Sequence, residues 1–194
     1  MKYNFVFVNK GFTLIELIVS MGIFISLFLI VTVNFRSGES LSDLQLQTQI
    51  LASDIRKVQT LSLAGAAYGG ETIGLGGYGI SLTDSNSGLI SYQLFSDKND
   101  DGIYTAAADG DVLSTTTLSQ NINSLSFDPV ADQVFIVFTP YSSAMSIKSQ
   151  TGASEPVAQD TMDVKLTHQR ISGRSGVVSL TAISGKVDFS IISN

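Results

Sequence analysis

Cysteine is absent from the 194 residues, which excludes disulfides, iron–sulfur clusters, thiolate nucleophiles and most structural zinc sites. Basic side chains are scarce, with 11 Lys and Arg against 17 Asp and Glu. A surface that displaces phosphate counterions needs clustered Lys and Arg, so no direct nucleic-acid binding is expected. The single histidine, His168, sits in an alternating run with Val164 and Leu166 and reads as a strand residue in a solvent or core role. No Gly-x-Ser-x-Gly nucleophile turn, Walker loop or Cys–His pair occurs, so catalytic residues are not expected and the chain is not read as an enzyme. The Gly-rich stretch from Gly74 to Gly79 lacks a phosphate-binding helix after it and reads as a flexible or bulged strand. Proline is missing from residues 12–68, so nothing there need interrupt a long helix.

What the chain does contain is an apolar run from Phe12 to Val33, with Met21 and Phe24 to Phe28 as its membrane-facing bulk. At 1.5 Å per residue it makes about 33 Å of helix, which matches a hydrocarbon core of roughly 30 Å. Lys2 and Lys10 precede it and Arg36 is the first basic residue after it, so positive-inside reasoning puts residues 1–11 in the cytoplasm and the bulk of the chain outside. No small-x-small cleavage site follows the run as it would in a secretory signal. Glu16 is the anomaly. A carboxylate in a membrane helix costs roughly 2.5 to 3.5 kcal/mol on insertion scales, so an anchor alone would do better with Leu there and some partner must stabilise it.

Beyond the span, Leu41, Leu44, Thr48, Leu51, Ile55, Val58 and Ser62 recur in steps of three and four, while Ser42, Asp43, Gln47, Gln49, Asp54, Arg56 and Lys57 fall elsewhere on the wheel. One helix from about Phe12 to about Ala66 is expected, with Gly65 and Gly69-Gly70 as its stop signal. From Thr72 the composition shifts to Gly, Ser, Thr and β-branched residues. Strands are expected near 74–82, 89–95, 112–118, 122–127, 133–139, 144–147, 162–168, 177–183 and 186–192. Ser184-Gly185 reads as a tight type I′ hairpin between the last two. The class is α+β: a long N-terminal helix packed against an antiparallel β-sheet head.

Lys10-Gly11-Phe12-Thr13-Leu14-Ile15-Glu16-Leu17 resembles the processing site of type IV prepilins and type II secretion pseudopilins. The resemblance implies a leader of residues 1–11, cut after Gly11 by prepilin peptidase, with the new terminal Phe12 methylated. It further implies a transmembrane assembly segment at 12–33, a stalk helix at 34–68 and a head at 69–194. The mature chain would then carry nine basic residues against 17 acidic ones. Val33 stands where many major pilins have a helix-kinking proline. The segment Leu51–Ala64, the acidic turn and the Ile183-Ser184-Gly185-Lys186-Val187 hairpin resemble minor pseudopilins of the H type and their FimT-type fimbrial counterparts. Implied partners are other pilin or pseudopilin subunits and an inner-membrane assembly platform, with Glu16 pairing with a neighbour's terminal amine.

One stretch is rich in ligands. Asp97-Lys98-Asn99-Asp100-Asp101-Gly102-Ile103 repeats the first seven positions of a calcium loop, with oxygens at Asp97, Asn99 and Asp101, a turn at Gly102 and the carbonyl of Ile103. The closing position holds Ala108 in place of Glu, with Asp109 and Asp111 nearby as substitutes. The competing interpretation is an acidic turn in which Asp and Asn cap their own backbone. Two classes of function therefore stand side by side. One is a structural subunit assembled through its helix into a pilus or pseudopilus. The other is a single-pass, membrane-anchored binding or adhesion module with a calcium-stabilised head. Glu16 separates them, because an anchor gains nothing from an intramembrane acid.

Overall fold

A computed structural model of the chain describes residues 11–67, 73–84, 89–110 and 112–193, with the backbone alone at 33–37. The chain divides into two compact units, with the boundary in sequence between Glu39 and Ser40. Helix α1 runs from Leu14 to Ala64 and is helical through Val33. Its end is set by Gly65 at φ 58°, where the N–H of Gly65 donates to Ser62 and that of Ala66 to Leu61. Those two bonds satisfy carbonyls the last turn would otherwise leave orphaned, as a left-handed Gly just past a helix allows. Within the first unit, Leu14–Thr32 has a mean hydropathy of 2.7 and is long and apolar enough to cross a membrane.

In the second unit the remainder of α1 buries Leu44, Thr48, Leu51, Ala52, Ile55, Val58 and Ser62. These are the positions the three-and-four spacing marks as one face, with Ala52 added and Leu41 only partly covered. The rest of the chain contributes strands β1 (Gly77–Thr83), β2 (Ser91–Asp97), β3 (Ser114–Thr117), β4 (Ile122–Asp128), β5 (Gln133–Phe138), β6 (Met145–Gln150), β7 (Val157–Gln159), β8 (Thr161–His168), β9 (Arg174–Thr181) and β10 (Lys186–Ser193), and the face shares its core with residues of all of them but β3 and β7. They form two antiparallel sheets, ordered β3-β2-β1-β5-β6-β7 and β10-β9-β8-β4. Tyr78, Ile80, Leu82, Ile136 and Phe138 from the first sheet and Val164, Leu166, Val178 and Leu180 from the second close one core with the helix.

Polar contacts fix the helix to both sheets. Ser62 Oγ accepts the Tyr78 N–H at 3.0 Å, and Asp54 accepts the Tyr92 hydroxyl at 2.6 Å. On the other side Arg56 donates to the Val187 carbonyl and Gln59 to that of Gly185.

Three expectations need correction. The expected strand at Gly74 begins at Gly77, because the preceding backbone turns against Asp97: the Gly76 N–H donates to the Asp97 carbonyl, and a Cβ on Gly76 would lie 2.2 Å from the Asp97 carboxylate. The glycines there are close-approach positions. The last hairpin is not a two-residue type I′ turn. Thr181 pairs with Lys186, leaving a four-residue loop, and only Gly185 has positive φ, whereas type I′ requires it at both central residues. Finally, β7 has no counterpart among the expected strands, since its three largely exposed residues carry no alternation.

The helix approaches β9 closely at Gly176, where an added Cβ would sit 1.9 Å from Thr48 Oγ1. Gly176→Ala is expected to cost about 1–3 kcal/mol, the usual range for overpacking. Thr48→Ala removes the obstructing oxygen, so the double variant should recover part of that loss. Urea midpoints of the 34–194 fragment check both; an unperturbed Gly176→Ala would mean that the helix does not rest on β9 at this point.

Candidate functional site

The N-terminal site is built on the first turn of α1. Gly11 and Phe12 are exposed and precede the helix, and Phe12 is 86% exposed in the isolated chain. Thr13 occupies the N-cap position. Its N–H and hydroxyl both donate to Glu16 Oε2, at 2.9 and 2.8 Å, while the Glu16 N–H donates back to Thr13 Oγ1 at 3.3 Å. This is a capping box, in which the residue at N3 and the N-cap satisfy each other's backbone donors. Glu16 was expected to need a partner; Thr13 in its own chain supplies one. The Thr-x-x-Glu spacing is itself a helix-start signal in the sequence, and it lies on the same acid that the membrane setting makes anomalous.

The second site is the loop from Asp97 to Gly110, which folds over the outer face of the six-stranded sheet. The Tyr104 ring lies 5.3 Å from that of Phe95, and the Lys148 ammonium donates to the Asp101 carbonyl. Asp97 and Asp109 are both buried. Asp97 accepts the N–H groups of Asp100 and Gly102 at 2.8 and 2.9 Å, and Asp109 those of Lys98 and Thr105 at 3.0 and 2.8 Å. Two carboxylates thus hold four backbone donors. The turn between them carries Asp100 and Gly102 at φ 61° and 70°, the sharp bend expected at Gly102.

Asn99 donates to Asp101, and Asp101 accepts the Ile103 N–H at 3.0 Å. Burial pushes the Asp97 carboxyl up; the donors Gly102 and Asp100 oppose this, and the charges of Asp101 and Asp109 add to it. The bonds described are therefore those of a self-capped acidic turn. Among the described residues no three His, Cys, Asp or Glu side chains converge as a metal group would require, and Asp111 lies outside the described residues.

His168 ends β8, is 3% exposed and is part of a structural contact. Its Nδ1 accepts the Arg170 N–H at 3.1 Å, and its Nε2 faces Asp43 on α1 at 3.5 Å. Burial pushes Asp43 up, but hydrogen bonds from Asn121, Ser119 and Gln47, with His168 beside them, outweigh it and hold the carboxyl below its ordinary value.

Residues 7–32 match the family model of the prokaryotic N-terminal methylation motif, a segment that contains Gly11, Phe12, Thr13 and Glu16. Neither a curated protein nor a solved structure matches the chain. The motif, joined to an apolar N-terminal helix and an α+β architecture of the type IV pilin kind, supports a membrane-anchored type IV pilin-like subunit processed by prepilin peptidase. Such a motif indicates a structural subunit.

Proposed function

We propose that the chain is a minor pilin or pseudopilin subunit, of the H or FimT type, that is cut between Gly11 and Phe12, methylated at Phe12 and packed through residues 12–33 into a type IV pilus-like or type II secretion-like filament. The observation that carries this is the methylation-motif match at 7–32, whose residues 14–32 lie in α1 with one acid, Glu16, in its first turn. Before assembly the subunit crosses the cytoplasmic membrane once with the head outside; its partners are prepilin peptidase, other pilin or pseudopilin subunits and the inner-membrane assembly platform. Sheared surface filaments test it. The mature chain should be found in that fraction in peptidase-competent cells and be missing from it when the peptidase is deleted; its absence from filaments in both strains would contradict the proposal.

The acidic loop supports a second element, a calcium ion held by Asp97, Asn99, Asp101, the Ile103 carbonyl and one or both of Asp109 and Asp111. What favours it is donor chemistry: every candidate ligand is an oxygen, which hard cations prefer. A cation would also relieve the repulsion that Asp101 and Asp109 exert on buried Asp97. Binding to the folded state alone adds about 2.7 kcal/mol at 100 times Kd, which corresponds to roughly 5–10 °C in Tm for a domain of this size. The 34–194 fragment should melt higher with millimolar calcium and lose that response in the Asp97→Ala, Asp101→Ala double variant. A melting curve indifferent to calcium and chelator leaves the loop held by its own hydrogen bonds.

A further inference from the structure

We propose that Thr13 is a positioning residue for assembly: its hydroxyl holds the Glu16 carboxylate in one orientation, with one oxygen occupied and the other presented to an incoming donor. The inference rests on the reading of the chain as a filament subunit. Both Thr13 donors converge on Oε2, and among the described residues no hydrogen bond reaches Oε1. A partner's terminal amine can therefore be taken on Oε1 without first breaking the ring.

The ring also survives maturation. All three of its hydrogen bonds are made by groups of Thr13 and Glu16, which lie on the helix side of the Gly11–Phe12 bond, so cutting that bond removes none of them. Until a partner arrives, the same bonds spare the carboxylate from standing unpaired in apolar surroundings, where a polar group without a partner is costly. A carboxylate already fixed in its bound orientation loses less freedom on pairing than one turning on a free side chain. Thr13 thus acts through Glu16 and makes no contact with the partner itself.

The test uses the full chain in its host, comparing wild type with Thr13→Val, Thr13→Ser and Glu16→Leu. Valine keeps the branched shape and loses the hydroxyl; serine keeps the hydroxyl and loses the methyl. Mature Thr13→Val should enter sheared filaments about tenfold less than wild type, the effect of one hydrogen bond to a charged group, and Thr13→Ser should restore incorporation. In the intact chain in bicelles, the Glu16 amide, which donates to Thr13 Oγ1, should exchange about tenfold faster in Thr13→Val. This exchange readout does not depend on processing.

Wild-type incorporation or unchanged exchange in Thr13→Val would overturn the inference. So would a Thr13→Ser variant as deficient as Thr13→Val. If Thr13→Val incorporates normally while Glu16→Leu does not, only the role of Thr13 fails; if Glu16→Leu also incorporates normally, Glu16 serves only to cap its helix and the inference fails with it. Absence of the wild-type chain from filaments is the separate result that overturns the filament reading.

Discussion

Glu16→Leu is expected to leave the processed subunit stranded in the membrane. The substitution removes the one acid in the apolar first turn, so insertion should if anything improve, by an amount on the order of the 2.5–3.5 kcal/mol charged residues cost at a span. Loss of the bonds to Thr13 will fray the helix start, a penalty of about 1 kcal/mol for a missing cap. Folding of the head should not change, because residues 40–194 form their own compact unit. Assembly is different. A neighbour's amine facing Leu is an uncompensated charge, and breaking a buried pair this way costs about 3–5 kcal/mol, or more than a hundredfold in occupancy. Cell fractionation should show mature subunit in the membrane and almost none in filaments. Normal incorporation would mean that Glu16 serves only to cap its helix.

Gly11→Leu is expected to stop maturation altogether while leaving the chain intact. A Cβ built on Gly11 meets nothing within 4 Å, and Gly11 has no positive φ that a side chain would strain. The substitution is therefore silent within the subunit. Its effect falls on the peptidase, whose active site at the membrane face would have to accommodate a branched side chain at the residue it cuts after. The precursor should accumulate at full length, inserted in the membrane and retaining Lys2 and Lys10, and no mature band should appear. Cleavage at the wild-type level would show that Gly11 is not the recognised position.

The helix was legible because its signals are local. The three-and-four spacing from Leu44 to Ser62 marked the buried face, and Gly65 marked the end. Strand existence was legible from alternation, but strand partners were not. Ile122–Asp128 pairs with Thr161–His168 across a long stretch of chain, and no local pattern separates it from the neighbours in sequence that join the other sheet. Turn chemistry misled at Ser184-Gly185, where a left-handed Gly serves the end of a four-residue loop as well as it would a type I′ turn.

At the candidate sites, residue types were readable and bonding was not. Asp97 and Asp109 stood out as oxygen donors, yet their burial and their four backbone donors depend on how the loop folds over Phe95. The spacing of Thr13 to Glu16 is a helix-start signature, but two physical demands, capping a turn and supplying a charge, fall on that one acid, so its residue type alone does not separate them.

The mass of the mature protein tests the central claim most directly. Protein purified from membranes or filaments of a host with active prepilin peptidase should begin at Phe12, with its α-amine carrying one methyl group. An intact Met1, or a mature start at any residue other than Phe12, would contradict it.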